Sequence, residues 1–520
     1  MDGRRAKTST MTLQSTARLD GEFDYIVVGA GSAGCVMANR LSADPRNRVL
    51  VLEAGGRDNW IWFHIPVGYL FAIGNPRSDW MFRTEEEAGL NGRSLAYPRG
   101  KVIGGCSAIN AMISMRGQSA DYDHWRQLGL SGWGWDDVLP VFRKLDDHFL
   151  GDTEHHGAGG EWRVERPRVK WEVLDAVEKA ATEMGIPVTP DFNTGENFGV
   201  GYFHVNQKKG VRWSSARAFL KPVLSRPNLR LETGVLVERL VFEGKRCVGV
   251  QFRQGGRVVE ARAKGEVILS AGAVGSPQIL QLSGVGPAEW LSQHGIAPVL
   301  DRPGVGRNLQ DHLQQRAIFK VQNTKTLNTT YHSLVGRARM GLQYALFQSG
   351  PLTMAPSQLG IFTRSSPDHE RANIEFHVQP LSLDRFGERC SGRRRARPDA
   401  AAGLAPKLVL HPVDQLLGHR AVRGQLAARD DGNRCALGVG RKTNAPAEEQ
   451  LHLRGRAAAR AAERALPLLR AVSARHPGIL LYLNETYGTT LSELIMSGRM
   501  DLAVLYGGKT AVHGLSFVPL

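Results

Sequence analysis

Six residues, Gly29-Ala30-Gly31-Ser32-Ala33-Gly34, constrain this chain more than any other feature. An apolar, β-branched run, Phe23 to Val28, leads into them, and Cys35 to Leu41 follows with helical character. A second apolar run, Val49 to Leu52, ends in Glu53-Ala54-Gly55-Gly56. Short continuous apolar runs are how buried parallel strands read. The pattern is therefore a βαβ unit with a glycine-rich turn between strand and helix. Gly29 permits the tight turn, Gly31 lets the backbone approach a pyrophosphate, and Gly34 lets helix and strand pack closely. The helix start at Ser32 and Ala33 supplies amide donors and a partial positive charge. Glu53, 24 residues after Gly29, stands where a carboxylate bonds ribose hydroxyls. A dinucleotide ligand is expected, and this motif alone leaves NAD and FAD both open.

The chain beyond the unit is long enough for several domains, at roughly 100–200 residues each. Trp60 to about Leu95 is rich in aromatics and turns and reads as a cover over a ligand. Residues 136–148 and 172–185 read as helices. Leu229 to Val250 and Val258 to Leu269 read as strands, and Gln278 to Leu282 as an apolar helix. Ile374 to Val378 is one further strand.

Three longer motifs narrow the ligand. Gly100-Lys101-Val102-Ile103-Gly104-Gly105-Cys106-Ser107-Ala108-Ile109-Asn110 resembles the first signature of the glucose–methanol–choline (GMC) oxidoreductase family. The run Gly272 to Gly286 resembles its second signature, and Pro303 to His312 a third block. The resemblance covers about residues 23–386 and is nearest to the choline- and alcohol-dehydrogenase-like branch. It implies non-covalent FAD, because Ile109 stands where some members carry a linking His. It also implies hydride transfer from the CH–OH group of a primary alcohol, choline-like or aliphatic, to the flavin. Cofactor contacts carried over with it are Ala54, Gly100, Val102, Gly104, Gly105, Cys106, Asn110, Ala111, Met112 and Ile113. Val235 is placed by the adenine, and Ala271 and Gly272 by the diphosphate.

The fold expected is α/β: an FAD-binding Rossmann-like domain (23–160 and 228–316) with a second, incomplete α+β substrate domain (161–227 and 317–386). Residues 1–22 are expected to form a disordered tail. The family's C-terminal catalytic His block, of the form HPxGTCxMG, is missing. His411-Pro412-Val413 is the nearest text, and His377 lies on the Ile374–Val378 run. His411 and His377 are therefore weak candidates for the base, and turnover is expected to be reduced or lost.

Between Glu388 and Arg475 the chain holds 16 Arg and 2 Lys against 8 Asp and Glu, and no Phe, Trp or Tyr. Few large apolar groups are available there to offset ordering entropy. Residues 387–463 read as a mostly irregular joint. Residues 464–520 resemble the start of the effector-binding domain of LysR-type transcriptional regulators, a small α/β fragment without a helix-turn-helix before it. The two resemblances meet as they would in a frame-shifted or fused gene. The rival readings are an inactive flavin-binding remnant and a ligand-binding regulator fragment, with an NAD-only dehydrogenase behind them.

The segment Glu388–Arg475 supplies +10 of the net +16, so the basicity is not a nucleic-acid surface spread over the fold. Five cysteines without a CxxC pair argue for a reducing compartment and against a zinc or other metal site. The expected location is the cytoplasm, with peripheral membrane contact left open; the expected partners are the alcohol and an electron acceptor of unspecified kind.

Overall fold

The computed structural model describes residues 17–382, apart from 20, 88–89, 315–316 and 322, and four strands between 407 and 485. The βαβ unit forms as the sequence predicts: strand Phe23–Val28, helix Ser32–Leu41, strand Val49–Glu53. These strands lie inside a seven-stranded sheet. Six lie in the order Leu229–Thr233, Val49–Glu53, Phe23–Val28, Arg257–Leu269, Arg246–Gln254, Leu236–Glu243, and the seventh, Ala17–Arg18, pairs with Arg257–Leu269 off that path. The first four run parallel and the last two antiparallel.

Successive residues of a strand face opposite sides of a sheet, and the two cores divide accordingly. Val27, Val49 and Val51 pack with Cys35, Ala38 and Phe219 on the helix side. Ile26, Val28, Leu50 and Leu52 pack with Val250, Phe252 and Ile279 on the other. Helix Gly272–Leu282 contributes Ile279 to that second face. Burying one such side chain contributes roughly 1.5–3 kcal/mol.

A second sheet is antiparallel throughout. Its order is Tyr482–Glu485, Ala317–Lys320, Lys407–Asp414, Ile374–Gln379, Leu359–Thr363, Gly199–Tyr202. Helix Glu172–Glu183 lays Val173, Leu174, Val177, Ala180 and Ala181 on it, against Leu359 and Ile361. The 3.6-residue period of those positions is the signal that marks the helix in the sequence.

One expectation changes. The tail is ordered at its end: Ala17–Arg18 pairs in parallel with Val259 and Glu260, and the Leu19 amide donates to the Glu260 carbonyl at 2.8 Å. Residues 1–16 lie outside the described residues. Within the joint, Lys407–Asp414, Gly424–Ala428 and Cys435–Val439 are strands. Leu408-Val409-Leu410 gives the first of these strands its apolar stretch, and a count of aromatics over 88 residues does not register so short a run. Tyr482–Glu485 is a strand paired with Ala317–Lys320. The rest of the 464–520 fragment lies outside the described residues.

Candidate functional site: a glycine-lined dinucleotide groove

The first turn is built by steric necessity. Gly29 has φ +97°, and a Cβ there would lie 2.6 Å from the Ser270 carbonyl oxygen. A Cβ on Gly34 would lie 1.8 Å from the Gly29 carbonyl oxygen. Neither position admits a side chain. Gly31 differs: its nearest neighbour would be the Ser270 oxygen at 3.8 Å, so it faces open space. The helix after it has no side-chain cap and no acidic residue in its first turn, and Ser32 and Ala33 are exposed. Uncapped amides and a partial positive charge beside open space suit a diphosphate.

Glu53 ends the second strand and is buried. Its two oxygens accept from the amides of Ala30 and Gly55, each at 2.7 Å. Burial raises its pKa, and those amides and Lys101 oppose the rise. The carboxylate thus ties the glycine turn to the Ala54–Gly55 turn, in addition to any ribose it holds. Val235 lies at the same end, its amide donating to the Glu53 carbonyl at 2.9 Å while its side chain is buried in the core. Ala271 and Gly272 follow Ser270, the residue against which Gly29 is packed; a Cβ on Gly272 would meet nothing within 4 Å.

The second glycine block docks on the first. The Gly104 amide donates to the Ala30 carbonyl at 2.7 Å, and a Cβ on Gly105 would lie 2.8 Å from the Gly31 Cα. Gly100 and Gly55 are equally closed, by Gly105 and Lys101 backbone atoms at 2.3 and 2.2 Å. Val102 pairs with Gly56 and is buried with Ile109. Cys106 is exposed, and its sulfur accepts from the Gly100 amide at 3.4 Å. Asn110 is also exposed, Ala111 half-buried, and Met112 buried in the left-handed region at φ 61°. An Asx-type bond from the Met112 amide to Asn110 Oδ1 at 3.0 Å holds that turn. Ile113 bridges to Val205.

Two groups at this site have no signal in the sequence reading. Arg212 is 1% exposed and lies behind Asn110. It donates through Nη1 to the Asn110 carbonyl at 2.8 Å, to Asn110 Oδ1 at 3.0 Å and to the Ser107 carbonyl at 3.3 Å. Nη2 donates to the Pro66 carbonyl at 3.2 Å. No carboxylate reaches it among the described residues, and burial pushes its pKa down to about 9. The Tyr69 hydroxyl, buried with no bonding partner, lies near enough to oppose that fall.

The candidate bases lie elsewhere. His377 is on strand Ile374–Gln379, with Nε2 2.5 Å from Glu375 Oε1 and its ring 5.1 Å from Phe203. His411 is its backbone partner on strand Lys407–Asp414. Among the described residues, the His377 ring bonds Glu375 and not the glycine groove. Among the described residues no group of three or more His, Cys, Asp or Glu is set to hold a metal, and no helix is long and apolar enough to cross a membrane.

A Rossmann-type turn, an acid ending the second strand and a second glycine block closed on the first define an FAD-binding oxidoreductase. The chain belongs to the GMC oxidoreductase family, whose profile matches residues 23–314. It is 43% identical over 371 residues to the alcohol dehydrogenase [acceptor] of Pseudomonas putida, covering 71% of this chain and 67% of that one. It is 42% identical over 373 residues to the mitochondrial choline dehydrogenase of Homo sapiens, covering 70% and 62%. The chain thus spans about two thirds or less of these relatives' own length. Pyridoxine 4-oxidase from Mesorbium loti shares the fold at TM-score 0.71 and 29% identity, over 91% of this chain and 85% of that one. An FAD-dependent oxidoreductase from Chaetomium thermophilum shows the same fold at TM-score 0.72 and 23% identity, over 92% and 87%.

Proposed function

We propose that this chain binds FAD non-covalently and oxidises a primary alcohol, choline-like or aliphatic, to the aldehyde. The observation that carries the reading is the closed double glycine cradle, with Gly31 open beside an uncapped helix start. The names of the curated relatives, alcohol and choline dehydrogenases, supply the substrate class. FAD supplies the hydride acceptor when bound. Around it, this chain's glycines admit the diphosphate, Glu53 holds the ribose end, and Asn110 faces the ligand at the second block. Ile109 offers no nucleophile to the ring, which supports non-covalent binding. The hydroxyl proton needs a base, and His377 and His411 are the residues to test for it. Anaerobic mixing of the purified holoprotein with a panel of primary alcohols tests the reading. Bleaching of the flavin band is expected; a yellow protein that no alcohol bleaches would leave only flavin binding.

That outcome is the second reading, an inactive flavin-binding protein. The missing His block favours it, since a general base contributes roughly 100-fold or more to rate.

A further inference from the structure

We propose that Arg212 is a positioning residue for the flavin: it orients Asn110 so that the side-chain nitrogen faces the ring edge, and it holds a positive charge behind that contact. The inference rests on the flavin-dependent reading above. An asparagine oxygen and nitrogen are told apart only by their partners. Here Oδ1 is claimed twice, by Arg212 Nη1 at 3.0 Å and by the Met112 amide at 3.0 Å, both donors. Among the described residues the amide nitrogen bonds none, and Asn110 is the exposed member of the contact. What it offers the groove is therefore a donor, which selects an acceptor on the ligand.

The charge points the same way. Arg212 is almost wholly enclosed, accepts nothing, and finds three carbonyls and one amide oxygen but no carboxylate among the described residues. Nε and the neighbouring Tyr69 hydroxyl are left without partners. A buried, unneutralised guanidinium is costly unless something offsets it. Hydride transfer brings two electrons and one proton to the flavin, while the alcohol loses that hydride and its hydroxyl proton. The ring therefore gains one negative charge. A buried cation behind the donor that touches the ring stabilises that charge and favours the reduced flavin.

Two measurements test this. The first needs no cofactor: thermal unfolding of the full chain carrying Asn110→Asp or Asn110→Leu. Asp gives Arg212 the carboxylate it lacks, so Tm should hold or rise, whereas Leu should lower it. Equal losses would overturn the contact. The second is the midpoint potential of bound FAD, read by equilibration with a redox dye. Arg212→Gln should move the reduction equilibrium roughly tenfold or more toward oxidised flavin, as expected for losing a bond to a charged group. Asn110→Asp, which neutralises Arg212 in place, should move it the same way even if Arg212→Gln does not fold, and Arg212→Lys should recover part of the shift. An unchanged potential in a neutralised variant that holds FAD overturns the proposal. A chain that takes up no FAD overturns the flavin reading instead, and the unfolding comparison still decides whether Arg212 sets Asn110.

Discussion

Gly31 and Gly105 stand 74 positions apart in the chain, yet a Cβ on Gly105 would lie 2.8 Å from the Gly31 Cα. The two glycine motifs are therefore one structure: the second presses against the back of the first while Gly31 keeps its other side open. Gly31→Val should abolish FAD binding and leave the unfolding of the cofactor-free chain nearly unchanged, because its Cβ meets no protein atom closer than 3.8 Å. Gly34→Ala should do the reverse and cost the fold about 1–3 kcal/mol or more by overpacking. Flavin absorbance per chain and urea denaturation separate the two; full flavin in Gly31→Val would show that the diphosphate lies elsewhere.

Glu53→Ala should damage both binding and stability. Ribose contacts alone would make it a binding variant, but its oxygens also satisfy the buried amides of Ala30 and Gly55. Each amide left unsatisfied costs about 1–3 kcal/mol. Glu53→Gln keeps one acceptor and turns an NH2 toward the other amide, so its loss should fall between. A Tm for Glu53→Ala equal to that of the unaltered chain would refute this account of the turn.

The flavin should leave the protein on acid precipitation. Ile109 is buried with Val102, Ala108 and Phe63 and offers nothing to bond to the ring. Yellow colour in the washed pellet would contradict it.

Acid should weaken the fold through a histidine cluster. His148 Nε2 lies 3.3 Å from His204 Nδ1, and His156 bridges Asp146 at 3.1 Å and Asp191 at 2.6 Å. Arg116 also bonds Asp146. Burial, with His156 and His204 nearby, pushes His148 down to about 3, and burial lowers His204 as well. Unfolded histidines take a proton near pH 6.5. Below that pH the unfolded chain binds more protons at these two sites, so stability falls as pH falls from about 6.5 toward 3. His156 runs the other way. Burial opposes its charge, but Asp146 and Asp191 raise its pKa on balance, so its contribution is present below 6.5 and fades at higher pH. Two sites against one leave a net loss in acid. His148→Asn should flatten the stability curve between pH 7 and 5, by at most about 1.4 kcal/mol per pH unit for one proton. An unchanged slope in denaturant titrations would remove His148 from the explanation.

What the sequence makes legible is what backbone sterics dictate. The glycine spacing, the strand Val49–Glu53 with its terminal acid, and the helix Glu172–Glu183 all follow from local pattern. Arg212 does not. Its role depends on burial and on carbonyls from residues 66, 107 and 110, none of them near it in sequence. Ala17–Arg18 is likewise too short to signal a strand, and it takes its partner from the far end of the same domain at Val259. Strand Lys407–Asp414 was hidden by composition: an Arg-rich neighbourhood masks a run whose order comes from the strands on either side.

That strand carries the last prediction. Lys407–Asp414 pairs with Ala317–Lys320 on one side and Ile374–Gln379 on the other, and His411 stands opposite His377. Composition alone predicts cleavage anywhere between Arg393 and Arg475, but a strand paired on both sides is protected. Limited proteolysis should therefore spare 407–414 while cutting among the arginines at 393–395. Val409→Pro should abolish the protection, since proline removes a ladder donor and is not accommodated in a central strand. The same register puts the two candidate bases on adjacent strands. If either serves the proposed oxidation, His377→Ala or His411→Ala should slow flavin bleaching by an alcohol about 100-fold, and Val409→Pro should slow it as much. Rapid cleavage inside 407–414 in the unaltered chain would return the segment to the irregular joint and leave His377 as the histidine to pursue.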